Sequence, residues 1–235
     1  MAKNVRINLL SSPRNVSTAF MYAWAQRPDT EVIDEPFYAY YLYFSGLNHP
    51  GNEEILSAQS TTAQTVIKNI IFKERKQNIS FYKQMSHHLV GFDFSFLKQC
   101  YNILFIRNPR LIINSYAKVI PKITMQDIGI EKQIELFEYL KNPIVLDSTK
   151  FLKNPKHYLQ KICELINIPF YAEMMSWKKG PKKEDGIWAK YWYKNVHQTT
   201  CFKKTESEKV VLNEAHETLA KQCEPLYLSL LEKSI

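Results

Sequence analysis

The chain is poor in the residues that staple or punctuate a fold. Only four cysteines occur in 235 residues, at Cys100, Cys163, Cys201 and Cys223, and no two form a C-x-x-C pair. This excludes a disulfide framework or a ribbon-type zinc site and leaves reduced thiols. Long apolar runs are missing. The longest, Phe37 to Phe44, has eight residues, against roughly 20 for a membrane-spanning helix. The opening stretch MAKNVRINLLSS holds no apolar core of signal-peptide length, so a cytoplasmic protein is expected. Glycine is scarce, with six residues at 46, 51, 91, 129, 180 and 186, and no G-x-x-x-x-G-K-[ST] loop is present. Acidic residues are in deficit: 23 Asp+Glu face 31 Lys+Arg, for a net charge of +8.

What is present is ordinary globular material, 45% hydrophobic and 23% charged, with no repeat and no low-complexity linker. The length favours a single domain over 1–235. The basic excess is concentrated. Residues 178–204, KKGPKKEDGIWAKYWYKNVHQTTCFKK, carry eight lysines against one Glu and one Asp. Such a segment suits a polyanionic partner or is simply a solvated face.

Apolar runs predict strands over 5–11, 30–35, 79–85, 101–107 and 142–149. Helical periods cover 16–27, 36–44 from Pro36, most of 52–73, 94–100, 109–119, 124–142, 154–168 and 206–233, the last broken or kinked at Pro225. Strand, loop and helix in repeated order predict an α/β fold with a mainly parallel central sheet flanked by helices. Such sheets bind ligands beyond the carboxyl ends of their strands. Functional residues are therefore expected at 11–18, 34–35, 86–88, 107–115 and 147–149.

Residues 11–18, SSPRNVST, join a predicted strand to a predicted helix. Backbone amides and the helix dipole meet an anion in such a place. Arg14 offers bidentate contacts to phosphate or sulfate oxygens. Ser17 and Thr18 add hydroxyls. With no glycine in the loop, Asn15 is the residue best suited to a left-handed backbone angle. An ordinary capped helix after a turn has the same local pattern. A second segment, NILFIRNPRLIINSY (102–116), ends a strand at Arg107 and places Ser115 two turns into the next helix.

The two segments in this order resemble the PAPS-dependent sulfotransferases, PAPS being 3′-phosphoadenosine 5′-phosphosulfate. SSPRNVST resembles the family's 5′-phosphosulfate loop, and FIRNPRLIINSY its 3′-phosphate motif. IVLDSTKFLKNP, followed by a helix and INIPF, is similar to a third family segment, and order and spacing match over roughly 5–170. The whole chain is similar to a sulfotransferase-like subgroup that in plants is fused to an aminotransferase-like domain. Nothing in it resembles the aminotransferase part. The resemblance implies a P-loop-NTPase-like fold with PAPS as co-substrate. It places Pro13, Arg14, Asn15, Val16, Ser17 and Thr18 around the 5′-phosphosulfate, with Arg14 on the transferring group. Arg107 and Ser115 would bind the 3′-phosphate, and Lys178, Lys179 and Gly180 would add a further phosphate contact. Val16 stands where the family usually has Gly, and Arg14 where it usually has Lys.

Sulfuryl transfer needs in-line placement, neutralised charge on the leaving side and a base for the acceptor proton. No acidic metal-binding motif is evident, so no metal is expected. Glu35, in VIDEPFY beside the phosphate loop, resembles the glutamate base of the carbohydrate and tyrosylprotein branches. His88, in FYKQMSHHL, resembles the base of the small-molecule branch, with His87 next in rank. Lys83 is expected to help stabilise the bridging oxygen. A helix-start acid before Pro36 and a surface histidine pair are the plainer explanations.

The aromatics of PFYAYYLYF and WAKYWYK suit an acceptor pocket for a small molecule, carbohydrate or lipid, or else a packed core. Three other functions fit parts of the pattern. A small-molecule kinase would need Asp147 for magnesium. A non-catalytic nucleotide-binding module would keep the fold alone. A nucleic-acid binder would use Trp188, Tyr191, Trp192 and Tyr193 for stacking; no recognised motif supports it, and no nucleic acid is expected. Oligomeric state is not legible.

Overall fold

A computed structural model describes residues 4–118, 120, 122–203 and 210–235. Val119 of the expected 109–119 helix, Lys204 of the basic segment and 206–209 of the expected C-terminal helix lie outside the described residues.

Five strands form: β1 (Val5–Ser11), β2 (Thr30–Asp34), β3 (Ile79–Met85), β4 (Tyr101–Ile106) and β5 (Ile144–Asp147). They make one sheet, all parallel, in the order β2-β3-β1-β4-β5. The helices are α1 (Ser17–Trp24), α2 (Tyr38–Ser45), α3 (Asn52–Ala58), α4 (Ala63–Val66), α5 (Pro109–Tyr116), α6 (Met125–Ile128), α7 (Ile130–Tyr139), α8 (Ser148–Lys153), α9 (Pro155–Ile166), α10 (Ala189–Trp192) and α11 (Glu214–Leu231). No helix among the described residues is long and apolar enough to cross a membrane.

Both faces of the sheet are covered, which is why its strands read as nearly continuous apolar runs. Leu10, Tyr82, Leu104 and Val145 point into one core, shared with α5, α7 and α11. Ile7, Leu9, Phe81, Phe105 and Leu146 point into the other, shared with α1, α8 and α9. Each fully buried side chain of this size contributes about 1.5–3 kcal/mol. A smaller cluster packs Tyr38, Tyr41 and Ile55 against Trp188 and Tyr193 of the basic segment. That segment also bridges Ser176 to Cys201.

All five expected strands form, and the departures lie in the helices. The helix expected from Pro36 starts at Tyr38, after a turn in which Tyr38 N donates to Glu35 O at 3.1 Å. The span 52–73 is split because Gln59 leaves the helix with extended backbone. Its side chain accepts from Ala39 N at 3.1 Å and donates to Glu35 O at 3.2 Å, clamping the β2–α2 turn. Gly129, with φ of 73°, separates α6 from α7 inside the span expected as one helix. Asp147 initiates the unexpected α8 by accepting from Lys150 N at 2.9 Å. Pro225 lies within α11 without ending it.

Candidate active site

A cavity of about 360 Å³ opens at the carboxyl edge of the sheet. Four of the five places expected to carry function line it, through the loop 13–18, Glu35, the His87–His88 pair, and Arg107 with Ser115. The fifth does not. Asp147 accepts from Lys150 N through Oδ1 and from Tyr227 Oη at 3.0 Å through Oδ2, so both oxygens hold the fold. Lys178, Lys179 and Gly180 are also absent from the lining. The basic segment reaches the cavity further along, through Trp192, Tyr193, Asn195, Thr199 and Lys203.

The geometry of the loop between Ser11 and Ser17 follows from how β1 passes into α1. Left-handed backbone falls on Arg14 (φ 55°) and Val16 (φ 49°), not on Asn15 as expected. Asn15 anchors the loop instead. Its Nδ2 donates to the Phe105 carbonyl at the end of β4 and locks the loop to the sheet. Gln133 of α7 supports it from below, donating to Leu10 O at 3.3 Å and Phe105 O at 3.0 Å. Val16 precedes α1 without a side-chain cap, and the first intrahelical donor is Phe20 N. The amides of Ser17, Thr18 and Ala19 are therefore the open N-terminal donors of a helix that ends on the cavity.

Two arginines meet beside this loop. The Arg107 guanidinium donates to the Arg14 carbonyl, and Arg14 Nε donates to Ser115 Oγ at 3.0 Å. Neither arginine has a carboxylate within 4.0 Å among the described residues. Burial lowers the pKa of both, and for Arg107 the neighbouring Arg14 charge adds to that, while Asp147, beyond ion-pair distance, partly opposes it. The chemistry of this donor set, two guanidiniums without an ion-pair partner, a hydroxyl and helix-end amides, fits a polyphosphorylated nucleotide.

On the other side stands a cluster of buried, paired charges. Lys83 Nζ donates to Asp34 Oδ1 at 2.9 Å, to Glu35 Oε1 and to Tyr193 Oη at 2.6 Å. All three ammonium protons are taken. Tyr193 Oη donates to Asp34 Oδ2 at 2.7 Å, while Trp188 Nε1 donates to Tyr193 Oη at 3.2 Å. Gly186 N also donates to Asp34 Oδ2, at 3.2 Å. Burial pushes the Glu35 carboxyl up, Lys83 opposes this, and the nearby Asp34 charge reinforces it; the outcome is a raised pKa. Burial disfavours the Lys83 ammonium, but the two carboxylates outweigh it and hold it protonated. Glu35 has positive φ, 35°. Its Oε1 is held by Lys83, and its Oε2 faces His88 Nδ1 at 3.9 Å, beyond hydrogen-bond reach.

His87 and His88 are not a surface pair; both are buried. His88 is stacked between Tyr38 and Tyr41, with ring centroids 4.9 and 4.6 Å apart. Burial pushes His87 down to about 4 and His88 well below the ordinary histidine range. Both rings are therefore neutral near pH 7.

Asp34 falls within the place 34–35 expected to carry function, beside Glu35 in VIDE. Two further residues of the site stand out little in the sequence. Tyr193 is one aromatic among several in WAKYWYK, and nothing local distinguishes it. Gln133 carries no signal, because its partners are more than 25 residues away in sequence. Of the aromatics a nucleic-acid binder would use, Trp188 and Tyr193 are buried and Trp192 lines the cavity, which leaves Tyr191 exposed, its hydroxyl donating to Glu54 Oε1 at 3.3 Å.

Comparison with known proteins bears on this geometry. The family described as "Sulfotransferase domain" matches residues 5–233. Branched-chain-amino-acid aminotransferase-like protein 1 of Arabidopsis thaliana is 34% identical over 232 residues, 97% of this chain and 42% of that protein. Branched-chain-amino-acid aminotransferase-like protein 2 of the same plant is 33% identical over 226 residues, 94% of this chain and 40% of that protein. The chain thus spans about two-fifths of the length of these curated relatives. Among solved structures, the sulfotransferase domain from the Synechococcus PCC 7002 olefin synthase has a TM-score of 0.59 at 14% identity, covering 94% of this chain and 95% of that one. The sulfotransferase domain from the curacin biosynthetic pathway has a TM-score of 0.53 at 14% identity, covering 94% and 98%. At such identity these likenesses show the fold alone.

Proposed function

The chain belongs to the sulfotransferase domain family, and on that premise we propose that it moves a sulfonate group from PAPS to a hydroxyl or amine of a small acceptor. In this reading residues 1–235 act as one sulfotransferase unit. A single observation carries it. One cavity holds open helix-end amides with two guanidiniums without an ion-pair partner at one end, and an oriented carboxylate with a raised pKa at the other.

PAPS supplies an activated sulfonate and a phosphate leaving group. The α1 amides, Ser17 and Thr18 hold the 5′ end, and Arg107 with Ser115 holds the 3′-phosphate. Glu35 Oε2 takes the acceptor proton as the acceptor–sulfur bond forms and the sulfur–phosphate oxygen bond breaks. Lys83, itself held by Asp34, fixes Glu35 through Oε1 and leaves Oε2 without a hydrogen bond beside His88 in the cavity lining. Lys83 thereby serves the base more than the bridging oxygen. His87 and His88, held neutral, help shape the acceptor end with Tyr38 and Trp192. The reaction as proposed needs no metal, so nucleotide affinity should be unchanged by excess EDTA. A kinase reading would need Asp147 to hold magnesium, and both of its oxygens are engaged elsewhere. A non-catalytic nucleotide module would have no use for a buried carboxylate held with one oxygen open.

The test is calorimetric titration with 3′-phosphoadenosine 5′-phosphate (PAP), ADP and 5′-AMP at two salt concentrations. One-to-one binding that favours PAP by at least about tenfold, roughly 1.4 kcal/mol, is expected. Equal affinity for PAP and ADP would overturn the cofactor assignment.

A further inference from the structure

Family resemblance puts Arg14 on the transferring group, at the 5′ end of the nucleotide. The geometry turns it the other way. With φ of 55° at Arg14, the side chain leaves the loop towards α5, and Nε donates to Ser115 Oγ at 3.0 Å. The Arg107 guanidinium reaches back to Arg14's own carbonyl. Three groups from three chain segments thus converge: the β1–α1 loop, the end of β4 and the second turn of α5.

The convergence is electrostatically unfavourable for the protein alone. Two like charges sit together, partly desolvated, with no carboxylate within 4.0 Å among the described residues. Buried charges are ordinarily paired. A phosphate dianion between the two guanidiniums would complete the arrangement. The chemistry also explains why arginine suits position 14. A guanidinium can bond Ser115 through Nε and still offer two terminal NH₂ groups to a phosphate, whereas a lysine ammonium is a single point charge. The 5′ end keeps the α1 amides and the hydroxyls of Ser17 and Thr18.

We propose that Arg14 determines selectivity for the 3′-phosphate, forming a two-arginine clamp with Arg107 around Ser115. The proposal rests on the PAPS reading above. It differs from that reading in assigning Arg14 to the 3′ end, which makes the two separable by experiment.

The experiment measures binding of PAP, 5′-AMP and 3′-AMP to the full chain and to Arg14→Lys and Arg14→Met, by calorimetry or by competition against PAP. Thermal melting of each variant checks that it is folded, and Arg14→Lys preserves charge should Arg14→Met fail. The clamp predicts that both variants lose about ten- to a hundredfold in PAP affinity, the range of a charge-assisted hydrogen-bond pair. The 3′-AMP affinity should fall by a similar factor and that for 5′-AMP should stay within about twofold. Equal losses for PAP and 5′-AMP would return Arg14 to the 5′ end and overturn the clamp. Unchanged PAP affinity would overturn it as well. Failure of the parent reading is visible in the unaltered protein, as no preference for PAP over 5′-AMP, and the clamp falls with it.

Discussion

The two ends of the cavity treat charge in opposite ways. At the proposed phosphate end, Arg14 and Arg107 lie together with only a hydroxyl and a backbone carbonyl for partners. At the proposed base end, Lys83, Asp34, Glu35 and Tyr193 are more deeply buried, yet every ammonium proton has an acceptor. Unpaired charge awaits a ligand and weakens the protein that holds it. Paired charge fixes a geometry and stabilises only while the set is complete. Removing a cation should therefore have different consequences at the two ends.

The sharpest break would come from Lys83→Met. It leaves Asp34 and Glu35 as buried neighbouring carboxylates, so unfolding free energy in urea should fall by about 3–5 kcal/mol. Arg107→Met removes one of two like charges and should change stability by no more than about 1 kcal/mol. Equal losses from the two variants would abolish the distinction.

The histidines extend the comparison to the acceptor end. His87 is pushed down to about 4 by burial, with the neighbouring His49 adding to this, and burial holds His88 well below the ordinary histidine range. Below the unfolded histidine pKa, the unfolded chain then binds protons that the native state refuses. Their stabilising contribution is complete above about pH 6.5 and is lost as pH falls towards 4, to the extent of about 3 kcal/mol for His87. Glu35 works with the opposite sign. Its raised pKa makes the native state hold a proton more tightly, so its contribution improves as pH falls through that raised value. Two histidines oppose one carboxyl, so stability should drop between pH 6.5 and 4.5, and His87→Gln should flatten the drop. A profile that rises on acidification would mean the rings are not buried neutral.

At the phosphate end the corresponding effect is on binding. Arg107→Met should weaken PAP by about ten- to a hundredfold and leave ADP within about threefold. Equal weakening of both nucleotides would sink the 3′-phosphate role of Arg107.

These differences track how much of each end is legible in the sequence. The phosphate end is built from contiguous segments, SSPRNVST and FIRNPRLIINSY, whose residue types and order carry the information. The strands are legible because apolar runs buried on both faces leave little ambiguity. The base cluster is half legible. Glu35 follows the end of β2 and Lys83 lies near the end of β3, but Tyr193 arrives from a segment 110 residues beyond Lys83. Its neighbours in WAKYWYK offer the same local pattern. Helix boundaries and loop angles depart from expectation where a side chain bonds at long range. Gln59 breaks its helix to hold the β2–α2 turn. Asn15 suits a left-handed backbone by residue type, yet its amide anchors the loop to β4. Sequence order carries residue type well and partner identity poorly.

Val16 provides the smallest test, and it asks whether the phosphate end also stores backbone strain. A β-branched residue with φ 49° and ψ 17° is an outlier. Its side chain packs partly against the second core, so replacing it changes both strain and burial. Comparing Val16→Gly with Val16→Ala separates the two, because both lose the isopropyl group and only glycine relieves the left-handed backbone. At an ordinary helix position alanine is the more stable of that pair by about 0.5–1 kcal/mol. At a strained left-handed position the order should reverse, with glycine ahead by about 1 kcal/mol and a melting temperature about 2–4 °C higher. If alanine remains ahead, the loop reaches its conformation without strain, and the usual glycine of the family has some other purpose at this position.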